Sequence, residues 1–191
     1  LRFPASANGA VTVKPGVGRV AAWNPGQAAE RGLLAQSMSV QGLIARNAAD
    51  LDLAMPALVA PDPRDPFHVP LPWRGPPIAP PIRVAVARDD FGFGLHPEVA
   101  TALDKAASAL DDAGYALTEV EPPLVREAGE VGYRALMGEV KALLGSDLAS
   151  HGSAGLQAIF EAYFELFPPY EGTDLLQAFA ERTRYARAWS L

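Results

Sequence analysis

The 191-residue chain contains no cysteine, so it has no disulfide framework, no thiolate nucleophile and no thiolate metal site. Such a composition suits a reducing compartment and predicts a cytoplasmic protein. No apolar run approaches the roughly 18 residues that a membrane-spanning helix needs, and no signal-like segment opens the sequence at Leu1. Basic residues are in deficit: 16 Lys and Arg face 22 Asp and Glu, a net charge of -6. With no cationic excess to displace counterions, neither nucleic acid nor an anionic membrane is an expected partner. Histidine is scarce as well. His68, His96 and His151 lie far apart in three unlike contexts, without the paired spacing of a metal site, so no metal or cofactor is expected.

What remains is ordinary globular material, 49% hydrophobic and 20% charged, enough for one sizeable core or one domain with an appendage. Three regions follow one another. Residues 1–60 open with short apolar runs ("GAVTV", "VGRVAAW") punctuated by Gly9, Gly16, Gly18 and Gly26, a pattern of short strands and tight turns. They close on a helix, "NAADLDLAMPALV": Asn47 caps it, Asp50 favours its positive end, and Leu51, Met55, Leu58 and Val59 share a face. Pro56 inside it removes an amide donor and predicts a loosened last turn.

Residues 61–81, "PDPRDPFHVPLPWRGPPIAPP", hold half of the chain's 18 prolines. This connector can be neither helix nor central strand and is expected to run extended over a surface, pinned by Phe67 and Trp73. A plain linker accounts for it better than a proline-rich ligand, because "PPIAPP" leads straight into a strand.

Residues 82–191 begin with a strand, "IRVAVARDD", then a glycine-rich turn and a helix of about sixteen residues. Pro97 suits its first position, Gly114 the position past its end, and Val99, Leu103, Ala106 and Leu110 form its predicted stripe. A second strand, "YALTEVE", completes a crossover unit whose strands should be parallel. Three further helices are expected, broken at "GSDLASHGSAG" and "PPYEGT". The fold class is therefore α/β.

Chemistry is harder to find. "DFGFG" follows a strand but lacks the third glycine and the Lys-Ser or Lys-Thr of a phosphate loop, and reads as a surface turn. The carboxylates fall at helix ends and exposed faces, and no serine sits in a nucleophile-elbow context.

Two longer stretches say more. "LRFPASANGAVTVKPGVGRV" and "AQSMSVQGLIARNAADLDLAMPALVAPDPRDP" resemble the latter half of the amidase signature family, serine hydrolases that cleave linear amides. The match is close over the first 66 residues and looser through the strand-helix-strand unit and "RTRYARAWSL". Arg-x-Pro-Ala, Lys-Pro, Gly-Arg-Val, Ala-Arg and Pro-Asp-Pro-Arg-Asp-Pro, in that order, are more specific than any short motif. Thr12 stands where the family commonly has glycine, Gly16 where it often has threonine, and Leu43 where it usually has proline.

The resemblance implies part of the amidase-signature fold, a mixed β-sheet flanked by helices and incomplete at both ends. It implies a nucleophilic serine immediately before Leu1, with Arg2 and Pro4 as scaffold behind it and "LRFPA" as the strand or turn that follows. A lysine base would act through a second serine, and backbone amides would bind the oxyanion. No residue of this chain matches those catalytic positions, so the chain alone is expected to be inactive. The substrate implied is a small or aryl carboxamide, an indoleacetamide type among the candidates.

Tyr133, Met137 and Phe160 either project over the substrate cleft or serve as core at helical spacing. Two readings stay open: part of an amidase, or a non-catalytic binding module derived from one. Uncovered strand edges and apolar surface predict self-association, as a homodimer or an aggregate.

Overall fold

The computed structural model describes residues 1–26 and 29–190. They divide into two compact units, Leu1–Pro76 and Pro77–Leu191, so the boundary falls inside the proline-rich stretch.

The first unit contains α1 (Arg2–Ala7), β1 (Val11–Thr12), α2 (Leu33–Met38), β2 (Ile44–Ala45) and α3 (Ala48–Leu58). β1 and β2 pair antiparallel, Val11 opposite Ala45 and Thr12 opposite Ile44. The two-residue alternation of a strand decides its faces. Val11, Val13, Leu43 and Ala45 pack against the buried cluster of Val20, Leu51, Met55 and Val59, whereas Ile44 is left 47% exposed. α3 starts as anticipated, with the Asn47 side chain accepting from the Asp50 amide at 2.8 Å. It runs through Pro56 and stops two residues later, Val59 capping it through the Met55 carbonyl.

The stretch from Pro61 to Pro76 forms neither helix nor strand and is strapped onto this unit. Trp73 joins the core cluster and donates from Nε1 to Asp52 at 2.8 Å, while Arg19 donates to the carbonyls of Leu71 (2.8 Å) and Pro72 (2.6 Å). Trp73 pins the strap as expected. Phe67 does not, being 65% exposed; there the backbone holds instead, and a Cβ at Gly18 would meet the Phe67 carbonyl at 2.5 Å.

The second unit begins with β3 (Arg83–Val86), α4 (Pro97–Asp112) and β4 (Ala116–Glu119). β3 and β4 pair in parallel from Arg83 opposite Ala116 to Val86 opposite Glu119, as the crossover reading requires. The mixed strand directions expected of the chain thus occur as two separate two-stranded ladders among the described residues. His96 caps α4, its Nδ1 accepting from the Glu98 amide at 3.3 Å, and Gly114 ends it at φ +83°. The covered face keeps Leu103 and Leu110 of the expected stripe but takes Ala100 and Ala107 in place of Ala106 and of Val99, which is 48% exposed.

Three helices follow: α5 (Val125–His151), α6 (Ala154–Leu166) and α7 (Gly172–Ser190). The first break is narrower than the sequence suggests, because α5 continues through Gly145 to His151. Gln157 Nε2 reaches back to the carbonyls of Leu148 (3.2 Å), Ala149 (3.2 Å) and Gly152 (3.0 Å), satisfying the acceptors that a helix end leaves open. Arg184 of α7 pairs with Glu127 of α5, and Lys141 Nζ meets Glu171 at 2.6 Å.

Candidate functional site

"LRFPA" is helical. The strand or turn expected there is α1, closed by an Ala5 amide bond to the Leu1 carbonyl at 3.1 Å. Pro4 lies in the first turn, where its missing amide costs nothing, and Ala5 is buried to 2% exposure. The Asn8 side chain donates to the Pro4 carbonyl at 2.8 Å, and the Ala10 amide returns to Ala5 at 2.9 Å. These bonds set α1 on the start of β1. The Leu1 side chain lies over Gly42, where a Cβ would come within 2.8 Å of its Cδ1. Arg2 and Pro4 themselves are exposed, and the Arg2 side chain makes no hydrogen bond or ion pair among the described residues.

Thr12, standing where the family commonly has glycine, is accommodated: its Oγ1 donates to the Leu43 carbonyl at 2.6 Å. Two of the family departures are therefore bonded to one another.

In the second unit the three candidates of α5 and α6 have unlike surroundings. Met137 is 4% exposed, beside buried Ala135 and Gly138. Phe160 is half-buried, its ring 6.1 Å from Phe164 and 6.4 Å from Tyr163. Tyr133 is 47% exposed and stacks on Phe167, centroids 4.7 Å apart and planes 19° from parallel. Phe167 was missed by sequence reasoning. Its signal is its place just before Pro168-Pro169, since a residue preceding proline is pushed out of the helical region and turns its side chain off the helix line.

The segment that carries Phe167 is clamped to α5. Arg134 Nε donates to the Pro168 carbonyl at 3.0 Å, its guanidinium lies 4.1 Å over the Tyr170 ring, and the Tyr170 amide donates to the Arg134 carbonyl at 3.2 Å. Gly138 makes room for the Tyr170 carbonyl, which a Cβ there would strike.

The remaining sequence candidates behave as structural parts. Asp89 and Asp90 each accept an amide two residues on, from Phe91 (2.7 Å) and Gly92 (2.8 Å), so "DFGFG" is a turn. The described residues hold no group of three potential metal ligands. His68 Nδ1 accepts from the Asp62 amide at 3.4 Å, and its Nε2 is buried without a partner among the described residues. The shifted carboxylates are all ion-paired. Asp62 is drawn down to about 2 by the Arg64 side chain and amide, and Asp52 below its usual range by Arg74 and then Trp73. No described helix is long and apolar enough to cross a membrane.

The same architecture occurs in solved structures. A fatty acid amide hydrolase superposes over 100% of this chain with a TM-score of 0.75 at 22% identity, using 34% of its own length. A second structure, described as that of PAM12A, covers 98% of this chain at TM-score 0.52 and 24% identity. The chain thus has part of the amidase signature fold. The Amidase family model matches residues 1–187, and the chain belongs to the amidase family. Among curated relatives, indoleacetamide hydrolase of Bradyrhizobium diazoefficiens is 35% identical over all 191 residues, which span 36% of that protein. Indoleacetamide hydrolase of Bradyrhizobium japonicum is 46% identical over 123 residues, 64% of this chain and 26% of the relative. The chain therefore spans about a third or less of these relatives' lengths.

Proposed function

We propose that this chain is the scaffold-bearing part of a serine amidase that converts an indoleacetamide-type carboxamide and water to a carboxylate and ammonia. The observation that carries the reading is the 35% identity to an indoleacetamide hydrolase along the whole chain. Arg2, Pro4 and Ala5 match the second half of the family's nucleophile motif, which puts the serine at the position before Leu1.

In this reading the serine oxygen attacks the amide carbon, and the serine proton passes through a second serine and a lysine to the departing nitrogen, releasing ammonia. Water then cleaves the ester to carboxylate and restores the serine. Tyr133 and Phe160 are assigned to the substrate wall in this reading, and the 4% exposure of Met137 supports its alternative place in the core. The net charge of -6 and the lack of cysteine support a cytoplasmic enzyme without a nucleic-acid partner, and the exposed apolar residues support a homodimer.

The test is ammonia release from indole-3-acetamide by the complete reading frame that encodes Leu1–Leu191. Activity that disappears when the serine preceding Leu1 becomes alanine supports the reading. Activity that survives that change, or another residue at that position, overturns it. Leu1–Leu191 on its own is expected to release no ammonia above background.

A further inference from the structure

The first unit holds a cleft of about 360 Å³ lined by the stretch after Val20, the approach to α2 and the strap, all within Leu1–Pro76. That volume suits a ligand the size of one substituted ring. Two aromatic side chains line it and stay open, Trp23 at 44% and Phe67 at 65% exposure. One of its cations is fixed in place. The Arg64 guanidinium lies 4.2 Å over the Trp23 ring, while its Nε and Nη2 donate to the two Asp62 carboxylate oxygens at 2.8 Å and 2.7 Å. A fork held in this way is pre-organised for a second acceptor, and its Nη1 carries no bond among the described residues. Asp65 is occupied by the frame, accepting the Ala22 amide at 2.7 Å and the Phe67 amide at 2.9 Å. Gln36 Nε2 donates to the Arg31 carbonyl at 2.6 Å and steadies a further wall. On that wall the side chains of Glu30 and half-buried Arg31 have no partner among the described residues.

The cleft thus offers ring surface, two guanidinium donors and one unpaired carboxylate. We propose that it binds a small aromatic zwitterion, an α-amino acid with a single ring. The ring packs on Trp23 and Phe67, the carboxylate meets Arg31 and the free edge of Arg64, and the ammonium meets Glu30. A simple aromatic anion satisfies the arginines but sets Glu30 against a like charge, and an aromatic amine leaves both arginines without an acceptor. The proposal rests on the cleft alone, and its test reads binding instead of ammonia release.

The experiment is calorimetric titration of L-phenylalanine into the product of the complete reading frame that encodes this chain, native and as Arg31→Gln, Glu30→Gln and Trp23→Leu. Hydrocinnamate, phenethylamine and L-alanine serve as matched ligands that lack the ammonium, the carboxylate and the ring. L-Phenylalanine should saturate the native protein with Kd below about 1 mM, and each matched ligand should bind at least about tenfold more weakly. Arg31→Gln and Trp23→Leu should each weaken L-phenylalanine about tenfold. Glu30→Gln should weaken L-phenylalanine likewise and leave hydrocinnamate no weaker. Unchanged circular dichroism shows that each variant is folded, and the matched-ligand series on the native protein needs no variant. Failure of L-phenylalanine to saturate, a matched ligand that binds as tightly, or affinity unmoved by Arg31→Gln and Glu30→Gln overturns the proposal.

Discussion

Thr12 Oγ1 bonds the Leu43 carbonyl at 2.6 Å across the β1–β2 ladder. The bond turns a β-branched residue into a link between two strands that share only two register pairs. Thr12→Val keeps the shape and loses the bond, and is expected to cost about 0.5–1.5 kcal/mol. Thr12→Gly restores the family's common residue but adds chain entropy, and should cost at least as much. Urea midpoints of the two variants check the order.

Gly138 faces the Tyr170 carbonyl so closely that a methyl group has no space. Because the obstacle is backbone, held by the Arg134 bonds, Gly138→Ala should destabilise by about 1–3 kcal/mol although alanine favours helices. A thermal melt of the variant at or above the native midpoint would contradict the described packing.

Met55 is the one large side chain among the described residues with no exposure, at the centre of the α3 cluster. Met55→Ala should cost about 2–5 kcal/mol through lost burial and the cavity left behind. Leu53→Ala, at an 82% exposed residue of the same helix, is the control and should change stability by less than about 0.5 kcal/mol.

Asp52 and Asp62 both titrate below the ordinary value of 3.8, Asp62 at about 2. Their ionised forms therefore support the strap of residues 61–76 at pH above about 4. That support drains away as the pH falls through the folded-state values. Tryptophan emission, which includes Trp73, should shift between about pH 4 and pH 2, before or with global unfolding. Asp52→Asn retains an acceptor for Trp73 and removes the Arg74 pair, so its share of the pH dependence should vanish.

Much of this architecture is visible in local chemistry. Asn47, Pro97 and Gly114 mark helix ends because capping and left-handed turns involve groups within about four residues of each other. The β3–α4–β4 crossover follows from apolar runs of the right length in the right order, and the Pro168-Pro169 break from a missing pair of amides. The long ordered run of motifs through "PDPRDP" carries the family, whose model reaches residue 187.

Other features needed partners distant in the chain. "LRFPA" contains a proline and small residues that suit a turn as well as a helix, and Ala5 becomes helical where it can be buried against β1. α5 passes Gly145 because Gln157 closes its end from the next helix. The inward face of α4 covers Ala100 and Ala107 and leaves Val99 48% exposed, a choice that hydrophobic periodicity does not register. Tyr133 and Phe167 stand 34 positions apart and are joined by a strap on α5. Periodicity, capping and motif order act within one segment and were enough for elements and family. Which faces are covered, and which aromatic pair stays open, was decided by packing between segments, where shape and competing contacts outweigh local preference.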